Sequence, residues 1–600
     1  MKALFDWLDH RTGYRKLTQE ALYEHIPGGA RWRYIWGSTL TFTIVVQFIT
    51  GIALWFSYSA SAQTAWESIF YLETQVPGGW ILRGIHHWTA QLMVPLLVLH
   101  LMQVVIDSAY RAPREVNFWF GLGLLGLVLA MSLTGYLLPW DQKGYWATKV
   151  ATNLLASVPW IGPGLQKLVI GGADYGHHTL TRFFALHAGV LPALLVAFIV
   201  AHIALFRRHG ITAKQPHRKP DAKFWPDQVL MDSVACLAVI GAVLVLVFWR
   251  HGAELTGPAY PSEAYSAARP DWYFMALFQL LKFQDWFEQT LPGGGMLWCV
   301  IIIPSIVAGF LLLMPLLGRW KVGHFFNLSL LWTGLGIYLA FTVMAYWHDL
   351  YDPKHAPQYH AAVEQAHRDA ARVKELATRH GVPPEGALAL LRQDALTQAP
   401  RLFAAKCAAC HSYDGHDGLG APLADKQTAA DLKGWGSREW LRMFMDPHLI
   451  ATARVWGGTE FVKKRTDMVE FILDEIPKYT PEQKAMLDRV MMAVSAEAQL
   501  DSQREADTKD AGLIEQGRKD FGESGLNCAD CHEFRGEGGG KGADLTGWGS
   551  REWTNGIIHN PADKKYYGRR NDRMQAFGEK GELSSKEIEM LTEWLRGEAK

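Results

Sequence analysis

Four histidines in the apolar first half of the chain are spaced to hold two iron cofactors. His86 and His100 stand fourteen residues apart in one hydrophobic stretch, and His187 and His202 fifteen apart in another. Fourteen helical residues turn through about 1400°, within about 40° of whole turns, and rise about 21 Å. Each helix thus carries two imidazoles on nearly one face, one towards each side of a bilayer. One histidine on an apolar helix reads as a satisfied core residue, but ionisable groups inside a span are rare enough to be functional. Two such helices facing each other make two bis-histidine iron sites stacked across a membrane. Haem iron held in this way at two depths would carry electrons across the membrane.

Six cysteines divide into two kinds. Cys407, Cys410 and His411, and again Cys528, Cys531 and His532, form the C-x-x-C-H pattern of c-type haem attachment. Two thiols take the porphyrin vinyls and the adjacent histidine ligates iron. A redox disulfide or half of a zinc site has no need of that histidine. Cys236 and Cys299 lie in or beside apolar stretches and read as small apolar side chains.

The two motifs belong to an internal repeat. GWGSREW occurs at 434–440 and 547–553, each followed by a proline, Pro447 or Pro561, and Met468-Val-Glu-Phe471 matches Met574-Gln-Ala-Phe577. Each unit resembles a small class I cytochrome c, in which a methionine on a later loop is the sixth ligand. That resemblance implies Met468 and Met574; Met443, Met445 and Met590 are the rival ligands and read rather as core residues on helices. Thioether ligation raises the haem potential. The glycine-rich run 536–542 reads as a flexible loop.

Seven stretches are long enough to span a bilayer: about 34–57, 81–106, 118–138, 183–206, 229–249, 296–317 and 326–347. Lys and Arg gather at Lys2, Arg11, Arg15, Lys16, Arg31 and Arg33, at Arg111 and Arg114, at Arg207, Arg208, Lys214, Arg218, Lys219 and Lys223, and at Arg319 and Lys321. These regions all fall on one side, which the positive-inside rule makes cytoplasmic. The C-terminal part is then outside, and no cleavable leader is visible in MKALFDWLDHRTGYRK. With the second and fourth spans both entering from outside, His86 pairs with His187 near the outer face and His100 with His202 near the inner one. The segment 139–182 reads as an external lid. Residues 353–400 read as an exposed helical linker with solvated histidines. Net charge is zero, so no nucleic-acid partner is suggested. Gly37 and Gly51, and Gly121 and Gly135, are each fourteen apart, which clears backbone at both haem levels.

The membrane half, from about 20 to 348, resembles cytochrome b of the quinol-oxidising bc and bf complexes. Arg83-Gly-Ile-His86 resembles the family's haem-propionate arginine three residues before a ligand. GYLLPWDQKGYWATKV (135–150) resembles one wall of the outer quinol site, and Pro270-Asp271-Trp272-Tyr273 resembles the P-E-W-Y loop. The fifteen-residue histidine spacing and Pro113-Arg114-Glu115 resemble the bf branch, whose two parts are joined here. Where that branch has a cysteine for a further haem stands Ile35. The resemblance implies Asp271 as proton acceptor from quinol, with Pro270, Trp272, Tyr273 and Tyr136 around it, an inner quinone site near Arg207, and a homodimer. Variants of that family with aspartate in this loop often go with menaquinol, so the resemblance implies menaquinol ahead of ubiquinol.

The sequence therefore predicts an all-α chain: a four-helix haem b domain (1–225), a three-helix domain with the quinol loop (226–350), a linker (351–398) and two small helical cytochrome c domains (399–500 and 510–600). The expected function is the cytochrome b and c subunit of a proton-translocating quinol:cytochrome c oxidoreductase in the bacterial inner membrane, holding two b and two c haems. No Rieske ligand pattern is present, so a Rieske iron–sulfur partner is expected, with the quinone pool on one side and a cytochrome c or terminal oxidase on the other. The competing reading is a non-bifurcating conduit between quinone pool and an external redox partner; a haem sensor lacks any signalling domain.

Overall fold

The computed structural model describes all residues except 1, 214–219, 292–293, 424–426, 453, 457–459, 540 and 567–573. Lys214, Arg218 and Lys219 of the charge pattern lie outside the described residues. The chain forms two compact units, Met1–Leu390 and Leu391–Lys600. Helix dominates both; the paired strands among the described residues are His25–Ile26 and Ala222–Lys223, antiparallel.

Seven helices of the first unit are long and apolar enough to cross a membrane: Trp32–Trp55, Gly79–Ile106, Glu115–Tyr136, His177–His209, Phe224–Arg250, Gly295–Leu317 and Gly323–Leu350. In lipid a backbone satisfies its own polar groups as helix, so the apolar runs and the helices coincide to within a few residues. Their outward faces expose Ile49, Leu237, Val245, Trp249 and Val343, as a lipid-facing surface requires. The chain is a multi-pass membrane protein.

The fourth span contains a π turn at Leu186–Val190, immediately before Pro192. Proline has no N–H to complete the α-helical ladder, and a π turn accommodates one additional residue. This is why histidines fifteen residues apart, not fourteen, still share a face.

The segment after the third span folds into Gln142–Ala156 and Gly162–Ile170. Asp141 caps the first of these, its Oδ1 accepting from Gly144 N at 2.9 Å, and Tyr145 is buried with Trp140, Leu180 and Phe183. The stretch expected to be an exposed helical linker is helical, and its exposure is corrected on one face. Ala356–His380 is one helix whose Ala370, Val373, Leu376 and Ala377 are buried. Their three-and-four spacing makes an apolar stripe.

The second unit is built on four helices: α1 (Ala395–Lys406), α2 (Pro481–Glu497), α3 (Ala511–Phe521) and α4 (Ser585–Leu595). α1 lies on α4: Trp594 packs its ring 5.5 Å from Phe403 and stacks at 4.0 Å on Tyr413. α2 lies on α3, with Arg489 paired to Asp520 at 2.7 Å. The GWGSREW copies take one conformation. Gly434, Gly436, Gly547 and Gly549 all have φ between 66° and 83°, a region open to glycine at little cost. Ser437 and Ser550 then cap short helices by accepting from Trp440 N at 3.1 Å and Trp553 N at 3.2 Å. The copies meet each other, Trp435 packing 4.9 Å from Trp548.

Phe403 is fully buried at the α1–α4 crossing. Phe403→Ala is expected to destabilise this unit by about 3–5 kcal/mol. Its melting temperature should fall by about 10 °C for a unit of this size, measured by near-ultraviolet circular dichroism of the purified chain. An unchanged melt would show that the crossing contributes little.

Candidate functional site

The four membrane histidines meet in two pairs. His86 and His187 have ring centroids 6.3 Å apart, and His100 and His202 6.5 Å apart. With a metal–nitrogen bond of about 2.0 Å and about 1.1 Å from nitrogen to ring centre, two imidazoles across one metal put their centroids about 6.2 Å apart. Both pairs therefore have the separation that one iron atom between them needs. Other ring nitrogens are held by the protein. His187 Nδ1 donates to Met131 O at 3.0 Å and His202 Nδ1 to Asn117 O at 3.0 Å, while His86 Nδ1 lies 2.9 Å from Thr50 Oγ1. Such bonds fix the tautomer and present Nε2 to a metal. His100 Nδ1 is buried without a partner.

Each of the four spaced glycines backs onto one of these rings. A Cβ at Gly135 would stand 2.5 Å from His187 Cε1, at Gly51 3.3 Å from His86, at Gly121 3.3 Å from His202 and at Gly37 3.7 Å from His100. The absent side chains thus leave room for the imidazoles themselves. Arg83 is engaged by Glu73 and by the carbonyls of Ala253 at 3.1 Å and Glu254 at 2.9 Å.

In the second unit His411 Nδ1 donates to Ala430 O at 2.8 Å and His532 Nδ1 to Ala543 O at 2.9 Å. Burial pushes the Cys407 thiol up to about 12 and the Cys528 thiol up to about 11, with Cys410 and Cys531 adding to it. The run 536–542 is not a free loop where it is described. Gly539 N donates to Ala529 O at 2.8 Å, and a Cβ at Gly542 would stand 2.5 Å from His532 Nδ1. Met468 and Met574 are both partly buried against apolar clusters.

Asp271 ends an extended stretch set by Pro270 and opens a short turn, Trp272–Phe274. Its Oδ2 accepts from Tyr273 Oη at 2.9 Å and from Gln91 Nε2 at 3.2 Å, while Gln91 Oε1 accepts from Trp272 Nε1 at 3.0 Å. The loop is anchored behind by Arg269, bidentate to Asp349 at 2.6 and 2.8 Å. Burial, with Asp271 alongside, raises the Tyr273 phenol above its ordinary value. The Tyr136 hydroxyl is buried without a partner and within electrostatic reach of Asp271 and Tyr273. Lys143 joins the group, 3.2 Å from Glu254. Burial opposes its charge, but Glu254 and Asp271 outweigh burial and hold it above its ordinary value.

A family model described as cytochrome b (N-terminal)/b6/petB matches residues 91–261. Over 212 residues the chain is 38% identical to a cytochrome b6 of Synechococcus sp. (strain JA-3-3Ab), covering 35% of this chain and 99% of that one. The chain belongs to the cytochrome b6 family. A cytochrome b6 of Prochlorococcus marinus (strain AS9601) is 35% identical over 210 residues, 35% of this chain and 96% of that one. A second model, cytochrome C oxidase, cbb3-type, subunit III, matches residues 512–595. A solved structure titled hyperthermophilic respiratory complex III aligns with a TM-score of 0.46 at 23% identity, over 57% of this chain and 95% of that one. A cytochrome b6 region followed by a cytochrome c region implies haem b and haem c, and the paired imidazoles and partly buried C-x-x-C-H motifs fit those groups.

At the opposite end of the spans Arg207 pairs with Glu24 at 3.5 Å. Arg33 pairs with the buried Asp107, which also accepts from Gln103 Nε2 at 3.1 Å. Gln91 and Lys143 are the residues that reading the sequence missed. A glutamine five residues after His86 inside an apolar span was the available signal for the first. Lys143 carried none, because its partners lie more than a hundred residues away.

Proposed function

We propose that the chain is the cytochrome b and c subunit of a quinol:cytochrome c oxidoreductase. Menaquinol is oxidised on the outer side between the 135–150 segment and the Pro270–Tyr273 loop. Its two electrons part, one to a Rieske iron–sulfur partner and onward to cytochrome c chemistry, the other to a quinone at an inner site near Arg207. When bound, two b haems between the imidazole pairs and two c haems on the Cys407 and Cys528 motifs supply the one-electron steps. The c repeats, 399–500 and 510–600, lie outside the bacterial inner membrane, with the N-terminus in the cytoplasm and the complex a homodimer.

The observation that carries this reading is Asp271, held by Tyr273 of its own loop and by Gln91, which lies on the span that supplies His86. Gln91 and Tyr273 occupy Oδ2, which leaves Oδ1 to accept a proton from quinol. Tyr136 and Tyr273 offer hydroxyls to the substrate, and Lys143 balances the carboxylate charge left after proton release. A simple conduit has no use for such a loop.

Purification of the complex is expected to give about two b and two c haems per chain, as gas-free difference spectra and haem extraction count them. It should also bring down a Rieske subunit. With the inner quinone site blocked, an oxidant pulse should transiently reduce haem b. Haem b that only oxidises under those conditions would leave the conduit reading.

A further inference from the structure

We infer that the two cytochrome c repeats exchange their sixth ligands: the haem on Cys407, Cys410 and His411 takes Met574, and the haem on Cys528, Cys531 and His532 takes Met468. This rests on the reading of two haem c sites proposed above and goes beyond it by assigning each methionine to the other repeat's iron.

The helix pairing makes the argument. α1 runs directly into the Cys407 motif, and α3 leads to the Cys528 motif. The helix closing over α1 is α4, from the second repeat. Besides the Trp594 ring stacked on Tyr413 and packed against Phe403, Lys406 pairs with Glu582 at 3.3 Å, and a Cβ at Gly418 would stand 3.0 Å from Phe403 and 3.5 Å from Trp594. The helix closing over α3 is α2, from the first repeat. A Cβ at Gly517 would strike Arg489 O at 2.0 Å, so the two backbones touch.

Each methionine travels with its closing helix. Met468 lies thirteen residues before Pro481, the start of α2, and Met574 eleven before Ser585, the start of α4. Met468 accordingly packs in a cluster with Ile472, Leu487, Tyr479 and Leu526, the last of these two residues before Cys528. Phe577, three residues after Met574, is buried in the core that contains Phe403 and Leu591. A short connection also favours the arrangement. Only residues 498–510, with the short helix Arg504–Lys509, separate α2 from α3, and elements close in sequence pack as neighbours.

The test keeps the full chain. Cys528→Ala/Cys531→Ala leaves a single covalent haem, on Cys407 and Cys410, which haem staining and pyridine haemochrome quantification verify. A wild-type chain with only one covalent haem would overturn the two-haem reading instead, so the two failures are distinguishable. In the single-haem background, near-infrared magnetic circular dichroism reads the methionine-to-iron band. Adding Met574→Ala should abolish the band and adding Met468→Ala should leave it. The reverse pattern overturns the exchange. If the single-haem chain does not accumulate, a protease site placed between Arg504 and Lys509 of the otherwise native chain gives the answer. After cleavage the haem-bearing 510–600 piece should stay on the membrane piece until denaturant is added, and its free release overturns the exchange.

Discussion

Asp271→Asn is expected to lower quinol oxidation by about 10²–10⁴-fold, the range a general base contributes, while every haem spectrum stays as in the wild type. Asparagine keeps the size of the side chain and can still accept from Tyr273 and Gln91. It cannot take a proton at neutral pH. The measurement is steady-state quinol-dependent reduction of an external cytochrome c, with dithionite-reduced spectra as the control. Turnover within a few-fold of wild type would remove the proton-accepting role from this carboxylate. A collapse of the haem b bands would instead show that the loop is structural, since Gln91 ties Asp271 to the span that carries His86.

Legibility in the sequence followed the distance over which each feature is encoded. The spans and the C-x-x-C-H motifs are local, and a reader of residue types can see them. The imidazole pairs were visible because helical periodicity converts a count of fourteen into a shared face. The fifteen-residue pair needed one more fact, the π turn before Pro192, and that proline was its signal. The half-buried helix Ala356–His380 was misjudged from its charge, although Ala370, Val373, Leu376 and Ala377 already wrote an apolar stripe. Gln91 and Lys143 depend on partners distant in the chain. The crossing of α1 with α4 was hidden for a different reason. A repeat announces that two similar units exist, but either copy's closing helix has the right apolar face for either entry helix. Connection length decides between them, and it does so only once the helices have been placed.

His187→Ala is expected to halve the haem b content, from the proposed two per chain to one, and to abolish reduction of haem b by quinol. Removing the imidazole takes away the ring that faces His86 across the site. The glycines make the same point without touching a ligand. At Gly135 a Cβ would stand 2.5 Å from His187 Cε1, closer than carbon atoms in contact, which sit about 3.5–4.0 Å apart. Gly135→Ala must therefore push the ring or tilt the third span, and haem b at that level should be lost or shifted in its α-band. At Gly51 and Gly121 the separation is 3.3 Å, and at Gly37 3.7 Å, so the effects should diminish in that order. Pyridine haemochrome counts and reduced-minus-oxidised spectra of the four alanine variants read the series. Four equal effects, or a larger loss at Gly37 than at Gly135, would mean that ligand crowding does not govern haem retention and that these glycines serve helix packing instead.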